Sequence, residues 1–261
     1  DLSAEAPYWD KIAARLRYLG FARELSEDEA RRGITNFVAK LRYLTAKGLY
    51  GSYILEHYTE RELSAAARFM AEERNHLYTY AGLDLLLSRY VIHTHHGVAL
   101  ESPQEMYLGI ALHLAMLEKP DVRMEWVRRF YDMLSLQQVT MATPTLANAR
   151  KPYHQLSSCF IDTVDDSLQG IYDSNTDIAR VSKHGGGVGA YLGYVRSSGA
   201  PIRGVANSSG GVVPWIKQLN NTAVSVDQLG QRHAGRAFQI SRVLQVLPGN
   251  HRRTQRALDP H

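Results

Sequence analysis

The sequence has a single cysteine in 261 residues, Cys159. No internal disulfide is therefore possible, and a reducing, cytosolic compartment is the expectation. No apolar run approaches the ~20 residues of a membrane span. No charged-then-apolar leader opens the chain, so no membrane contact is expected. Internal repeats and low-complexity tracts are also missing. Acidic residues are absent between Asp227 and Asp259, where Arg232, Arg236, Arg242, Arg252, Arg253 and Arg256 all fall. The net charge of +4 belongs mostly to that stretch, so the chain as a whole does not read as a nucleic-acid binder. The first residue is Asp rather than Met, and the start reads as the middle of a longer chain.

Residues 1 to about 135 read as helical. Ser26-Glu-Asp-Glu29 and Thr59-Glu-Arg-Glu62 both fit the capping box, in which hydroxyl and carboxylate satisfy each other's backbone donors. Ser102-Pro103 opens a further helix with a cap and a first-turn proline. Met106, Ile110, Leu114 and Leu117 follow at helical spacing. Asp121 starts the next helix, with Val122, Trp126, Phe130 and Met133 on one stripe, and all of these are expected in the core. Between helices, Arg89 to Leu100 alternates weakly and turns at Gly97, which reads as a short hairpin. His93, His95 and His96 lie in it. Imidazole suits metals, but no Cys or paired carboxylate completes a set nearby, and exposed turn histidines are the better reading.

From Leu156 the pattern changes. Apolar strand-like runs, Ser158 to Val164 and Val188 to Val195, alternate with helical stretches, Ser167 to Ser182 and Val212 to Val224. Such alternation implies parallel strands. Cys159, in Gln155-Leu-Ser-Ser-Cys-Phe160, opens the first run. A thiol at a rigid strand end can act as a redox or nucleophilic group. The alternative is a buried cysteine packing as a small hydrophobe.

Six strings carry a resemblance, in order and at similar spacing. They are Ala142-Thr-Pro-Thr-Leu-Ala-Asn-Ala149, Gln155-Leu-Ser-Ser-Cys-Phe160, Asp166-Ser-Leu-Gln-Gly-Ile-Tyr172, Ser182-Lys-His-Gly-Gly-Gly-Val-Gly189, Pro201-Ile-Arg-Gly204 and Asn221-Thr-Ala-Val-Ser-Val-Asp-Gln228. Together they resemble the large, catalytic subunit of class I-like ribonucleotide reductases, over roughly residues 1 to 236. The resemblance implies a mainly α N-terminal domain followed by the first part of an α/β ten-stranded barrel, incomplete at about three strands. It divides the chain into a partial ATP-cone with connecting helices (1–50), a helical N-terminal domain (51–140), the first part of the barrel (141–236) and a divergent basic tail (237–261). The family pattern is lost after Gly230. A disrupted reading frame or gene break is the favoured expectation there, and a genuine divergent terminus the alternative.

The resemblance also implies a chemistry: replacement of the ribose 2′-hydroxyl by hydrogen, begun when a thiyl radical abstracts the 3′-hydrogen. Two further thiols supply the reducing equivalents, and Cys159 matches one of them. A two-electron disulfide step needs two sulfurs, so this chain alone is expected to be inactive. Thr143 and Ser158 match positions that hold the substrate diphosphate or ribose, and Gly187 matches a substrate-contact glycine. Asp166, Ser167 and Leu168 match the segment that holds the ribose and base edge of a deoxynucleotide effector. Arg196 and Arg203 match positions that meet its phosphates. Read alone, Asp166 is a helix cap and the arginines are solvated charges. The loop from Asp227 to Arg232 resembles the segment that relays effector identity, with departures at Leu229, His233 and Arg236.

No cofactor is implied on the chain itself beyond nucleotide effectors (a dNTP or ATP); a separate metal-containing small subunit would supply the radical. Adenosylcobalamin-dependent relatives share much of the pattern, and the partial ATP-cone favours the class with a separate subunit. The implied partners are a ribonucleotide substrate, a second large subunit in a homodimer, the radical-generating small subunit, and thioredoxin or glutaredoxin. Two other readings stand beside this one. The first is a non-catalytic nucleotide-binding or assembly module of a split enzyme. The second is a cysteine-dependent hydrolase with Cys159 activated by His154 or His184.

Overall fold

The computed structural model describes residues 8–183 and 186–226. The chain divides into two compact units between Leu156 and Ser157.

The first unit is all-α. Helix α1 (Tyr8–Arg32) turns Ala14, Tyr18, Phe21, Leu25 and Asp28 inward at three- and four-residue steps. The capping box expected at Ser26–Glu29 is not a helix start, because those residues lie inside α1. Leu25 and Asp28 are buried, and Asp28 pairs with Arg31 and Arg32 one turn on, so packing carries the helix past the local signal. After α2 (Phe37–Ala46) and α3 (Tyr53–His57) comes α4 (Glu60–Ala67), which starts at the Thr59–Glu62 capping box as expected. A 3-10 turn (Glu72–Leu77), α5 (Tyr80–Leu85) and a π-helical turn (Leu86–Tyr90) lead into the hairpin. There His93 pairs antiparallel with Ala99, and Gly97 takes φ 81°. His95 and His96 are exposed.

Helix α6 (Pro103–Ala115) is the central element. It starts at a capping box between Ser102 and Glu105 and buries eleven of its residues. Met106 and Ile110 are fully enclosed and Leu114 is partly so. Leu117 is instead 83% exposed, because the helix ends at Ala115 before the stripe reaches it. Helix α7 (Arg123–Ser135) starts two residues later than expected, and its buried face is Arg123, Val127, Tyr131 and Leu134. Trp126 and Phe130 only flank the core, and Met133 is exposed. The rotation has a visible cause. The Arg123 guanidinium lies 4.5 Å over the Tyr58 ring and donates to Glu62 at 2.6 Å, so a cation takes a core position. A short α8 (Thr143–Asn148) follows, where a simple Thr143-Pro144 turn was the alternative to a substrate contact.

Two buried ion-pair groups tie these helices. Arg150 and Glu101 are both fully enclosed and paired. Lys40 bridges Glu29 and Glu105, and Glu105 is also the capping carboxylate of α6.

The second unit is a strand–helix–strand. Strand β1 (Cys159–Thr163) pairs in parallel with β2 (Gly187–Tyr191) through the crossover helix α9 (Leu168–Lys183), and α10 (Val213–Ser225) packs on α9. Its core is Val164, Ile171, Ile178, Ala190, Leu192, Val195, Leu219 and Ala223. Strand β1 matches its expected run, whereas β2 ends at Tyr191, short of the expected Val195. Among the described residues there are two of them, not three. The loop from Asp227 to Arg232 and the tail 237–261 lie outside the described residues. An all-α domain followed by an incomplete α/β barrel is thus the architecture. No described helix is long and apolar enough to cross a membrane.

Candidate functional site

In the second unit the site is built on the first residues of two parallel strands. Alternation along β1 exposes Cys159, Ile161 and Thr163 and half-buries Phe160 and Asp162. Phe160 points to α9: a Cβ on Gly186 would meet Val181 Cγ1 at 2.5 Å and Phe160 Cε2 at 2.8 Å, so only glycine permits that approach. Cys159 is therefore on the opposite, open face. Its exposure removes the reading of a buried apolar cysteine.

Strand register places Cys159 directly across from Gly187. The Gly187 amide donates to the Ser158 carbonyl at 2.7 Å, and Ser158 Oγ is 3.5 Å from Cys159 Sγ. Thiol, hydroxyl and side-chain-free glycine thus share one strand end. The Gly187 amide is spent on the sheet, so what Gly187 offers a ligand is space. On the other face, Asp162 Oδ2 is buried without a hydrogen-bond partner among the described residues.

The Asp166 cluster lies at the start of α9. Ser167 Oγ accepts from the Gly170 amide at 3.0 Å and caps the helix, which begins at Leu168. Asp166 is paired with Arg196. The Arg196 amide donates to Oδ1 at 3.0 Å and its Nε to Oδ2 at 2.8 Å. The Arg196 Nη atoms reach the carbonyls of Asp166 and Pro201 at 3.3 Å each. Arg203 sits on a two-residue turn closed by mutual hydrogen bonds between Ile202 and Val205. Arg203 and Gly204 take φ 50° and 80°, a type I′ geometry that leaves the arginine exposed. Leu168 is 67% exposed. The structure therefore brings Asp166, Ser167 and Arg196 together, with Arg196 already holding the aspartate.

Thr143 belongs to the first unit. It is exposed, and its Oγ1 is 3.1 Å from the hydroxyl of buried Tyr90. In the same unit, Tyr53, His113 and His154 form a ring cluster, with centroids 4.7 Å apart for Tyr53–His154 and 5.2 Å for His113–His154. His113 Nδ1 is 2.9 Å from the Tyr53 hydroxyl. Burial, with His154 adding to it, lowers the His113 pKa to about 4. His154 Nδ1 is 3.2 Å from the Pro152 carbonyl. His184, the other base of the hydrolase reading, lies outside the described residues.

Three features were missed from sequence: the Tyr90 contact, the buried Arg150–Glu101 pair and the Asp166–Arg196 clasp. Their partners are 30 to 53 positions apart, and no local spacing marks them.

Comparison with known proteins gives a consistent result. Residues 76–154 match the ribonucleotide reductase all-alpha domain, and residues 157–242 match the ribonucleotide reductase barrel domain. Over 236 residues the chain is 56% identical to the ribonucleoside-diphosphate reductase subunit alpha of Treponema pallidum (strain Nichols), covering 90% of this chain and 28% of that protein. It is 39% identical over 232 residues to the subunit alpha of Synechocystis sp. (strain ATCC 27184 / PCC 6803 / Kazusa), covering 88% of this chain and 29% of the relative. It is 40% identical over 169 residues to the large chain 2 of Saccharomyces cerevisiae (strain ATCC 204508 / S288c), covering 64% and 19%. The chain thus spans less than a third of the length of the relatives it matches.

Proposed function

The chain belongs to the ribonucleotide reductase large-subunit family, and from that membership we propose that it supplies part of a ribonucleoside-diphosphate reductase. One observation carries the reading: the register that sets Cys159 against Gly187, with Ser158 hydrogen-bonded to each. In this proposal Cys159 is one of the two thiols that reduce the ribose 2′-position after a thiyl radical has taken the 3′-hydrogen. Ser158 is a substrate contact beside Cys159 and Gly187 leaves room there; Thr143, in the first unit, is a separate substrate contact. The second thiol and the radical-bearing cysteine come from polypeptide beyond this chain, since the chain holds one sulfhydryl. A metal-containing small subunit supplies the radical, and thioredoxin or glutaredoxin restores the thiols.

The effector site is proposed around Asp166, Ser167 and Leu168, at a homodimer interface. Arg196 acts there in two ways, fixing the Asp166 carboxylate and offering a phosphate the N–H bonds it does not spend on Asp166 and Pro201. Arg203, exposed on its turn, is the freer phosphate fork.

The test is complementation. The purified chain, alone, is expected to form no deoxynucleotide. Mixed with a polypeptide carrying the remainder of a related large subunit, and with a small subunit, it is expected to reduce a ribonucleoside diphosphate. Cys159→Ser should abolish that activity. Deoxynucleotide formation by the chain alone, or full activity with Cys159→Ser, would overturn the reading.

A further inference from the structure

Thr143 is exposed, yet its hydroxyl is anchored from behind. The anchor is Tyr90, 3.1 Å away, a buried side chain at the end of the π-helical turn. Both partners are gripped by one guanidinium. Arg150 Nη2 donates to the Tyr90 carbonyl at 2.8 Å. Arg150 Nη1 donates to the carbonyl of Leu146, on the helix that begins at Thr143, at 2.7 Å.

Arg150 is held in turn. Its Nε lies 3.0 Å from each oxygen of Glu101. Glu101 also accepts from the Ile92 amide and the Tyr50 hydroxyl, each at 2.8 Å. The packing has no slack: a Cβ on Gly109 would sit 2.6 Å from the Tyr50 hydroxyl and 2.9 Å from Arg150 Cδ. An enclosed ion pair therefore fixes the distance between an exposed threonine and a buried tyrosine.

We infer that Tyr90 is a positioning residue for the Thr143 hydroxyl, held by the Arg150–Glu101 pair so that the threonine proton is directed at a diphosphate oxygen. The inference rests on the reading of Thr143 as a substrate contact. A threonine hydroxyl has one proton and two lone pairs. When Tyr90 donates into one lone pair, the threonine proton is left for an acceptor on the exposed side, and the paired bonds polarise one another. Tyr90 itself is behind Thr143 and meets no substrate.

The test uses the full chain and cytidine diphosphate as the probe. Three-bond couplings should report one χ1 rotamer for Thr143 in the parent and an average over rotamers in Tyr90→Phe. Thr143→Val and Tyr90→Phe should each weaken the diphosphate, measured by calorimetry, by about 3- to 10-fold, the range of one neutral hydrogen bond. Tyr90→Phe should cost nothing further in the Thr143→Val background. Thr143→Ser should bind as the parent does, and lose that affinity on adding Tyr90→Phe. An unchanged Thr143 rotamer in Tyr90→Phe overturns the inference. So does an equal loss in both backgrounds, which is what generalised loosening would produce. If the parent does not bind the diphosphate, or Thr143→Val binds it undiminished, the substrate reading fails, and the rotamer measurement alone decides the positioning role.

Discussion

The two units solve the problem of burial differently. The helical unit encloses α6 almost completely and can bury charge, as at Arg150–Glu101 and around Lys40. The strand–helix unit gathers eight buried apolar residues between its sheet and two helices, and leaves Ile161 84% exposed on the other face of β1. Parallel strands are ordinarily covered on both faces. Among the described residues, the helical unit encloses its core, while the other leaves one face of β1 exposed and the outer edges of its two strands unpaired. Stability should concentrate in the first, and the second carries Cys159 on its exposed face.

Three measurements bear on that contrast. The largest effect is expected at the enclosed charge. Arg150→Met leaves Glu101 buried without its cation and should destabilise the helical unit by about 3–5 kcal/mol, measured by urea unfolding. A loss below roughly 1 kcal/mol would mean that water reaches this pair and that the unit is less closed than its packing indicates.

The next comparison uses one residue type in both units. Ile110→Ala, in the middle of α6, should cost about 2–5 kcal/mol through lost burial and the cavity left behind. Ile161→Ala, on β1, should change stability by no more than about 0.5 kcal/mol. Native-state hydrogen exchange, read region by region, gives both values. Equal costs would break the contrast, since Ile161 would then be covered in solution.

The smallest expected effect is a pH dependence confined to the helical unit. His113 has a folded pKa of about 4 against an ordinary 6.5, so the unfolded chain binds more protons between those values. The stability contributed by neutral His113 is fully present above pH 6.5 and is lost as pH falls toward 4. With screening counted, the loss should be about 1–2 kcal/mol. His113→Gln should flatten this slope in urea titrations at pH 4.5 and 7. An unchanged slope would assign the dependence to other groups.

Much of the architecture could be read from local signals. The Thr59 and Ser102 capping boxes stand where their residue types require, and the β1 and β2 runs pair in parallel as alternation with helices implies. Ser26 misled because a capping motif states only a local preference, and α1 is held through it by Leu25 and Asp28. The α7 stripe was displaced because hydrophobic residue type picked Trp126 and Phe130, while stacking and pairing drew Arg123 inward. At the candidate site, the residues themselves were legible as motif positions, but their couplings were not. Nothing near Asp166 announces that Arg196 clasps it, and nothing near Thr143 announces Tyr90. Those contacts exist only once the chain has folded back on itself.

The division at Leu156 also orders events in time during synthesis. The helical unit finds its partners within the first 156 residues: Lys11 reaches the Leu77 carbonyl, and Arg150 reaches Tyr90. β1 has no partner until Gly187 has been made. A ribosome adds roughly 5–20 residues per second, whereas helices form in roughly microseconds. The helical unit thus has time to close while β1 waits, for on the order of a second or more, with its backbone edge unpaired. The hazardous interval in the life of this polypeptide belongs to a five-residue strand, not to the large helical core that precedes it.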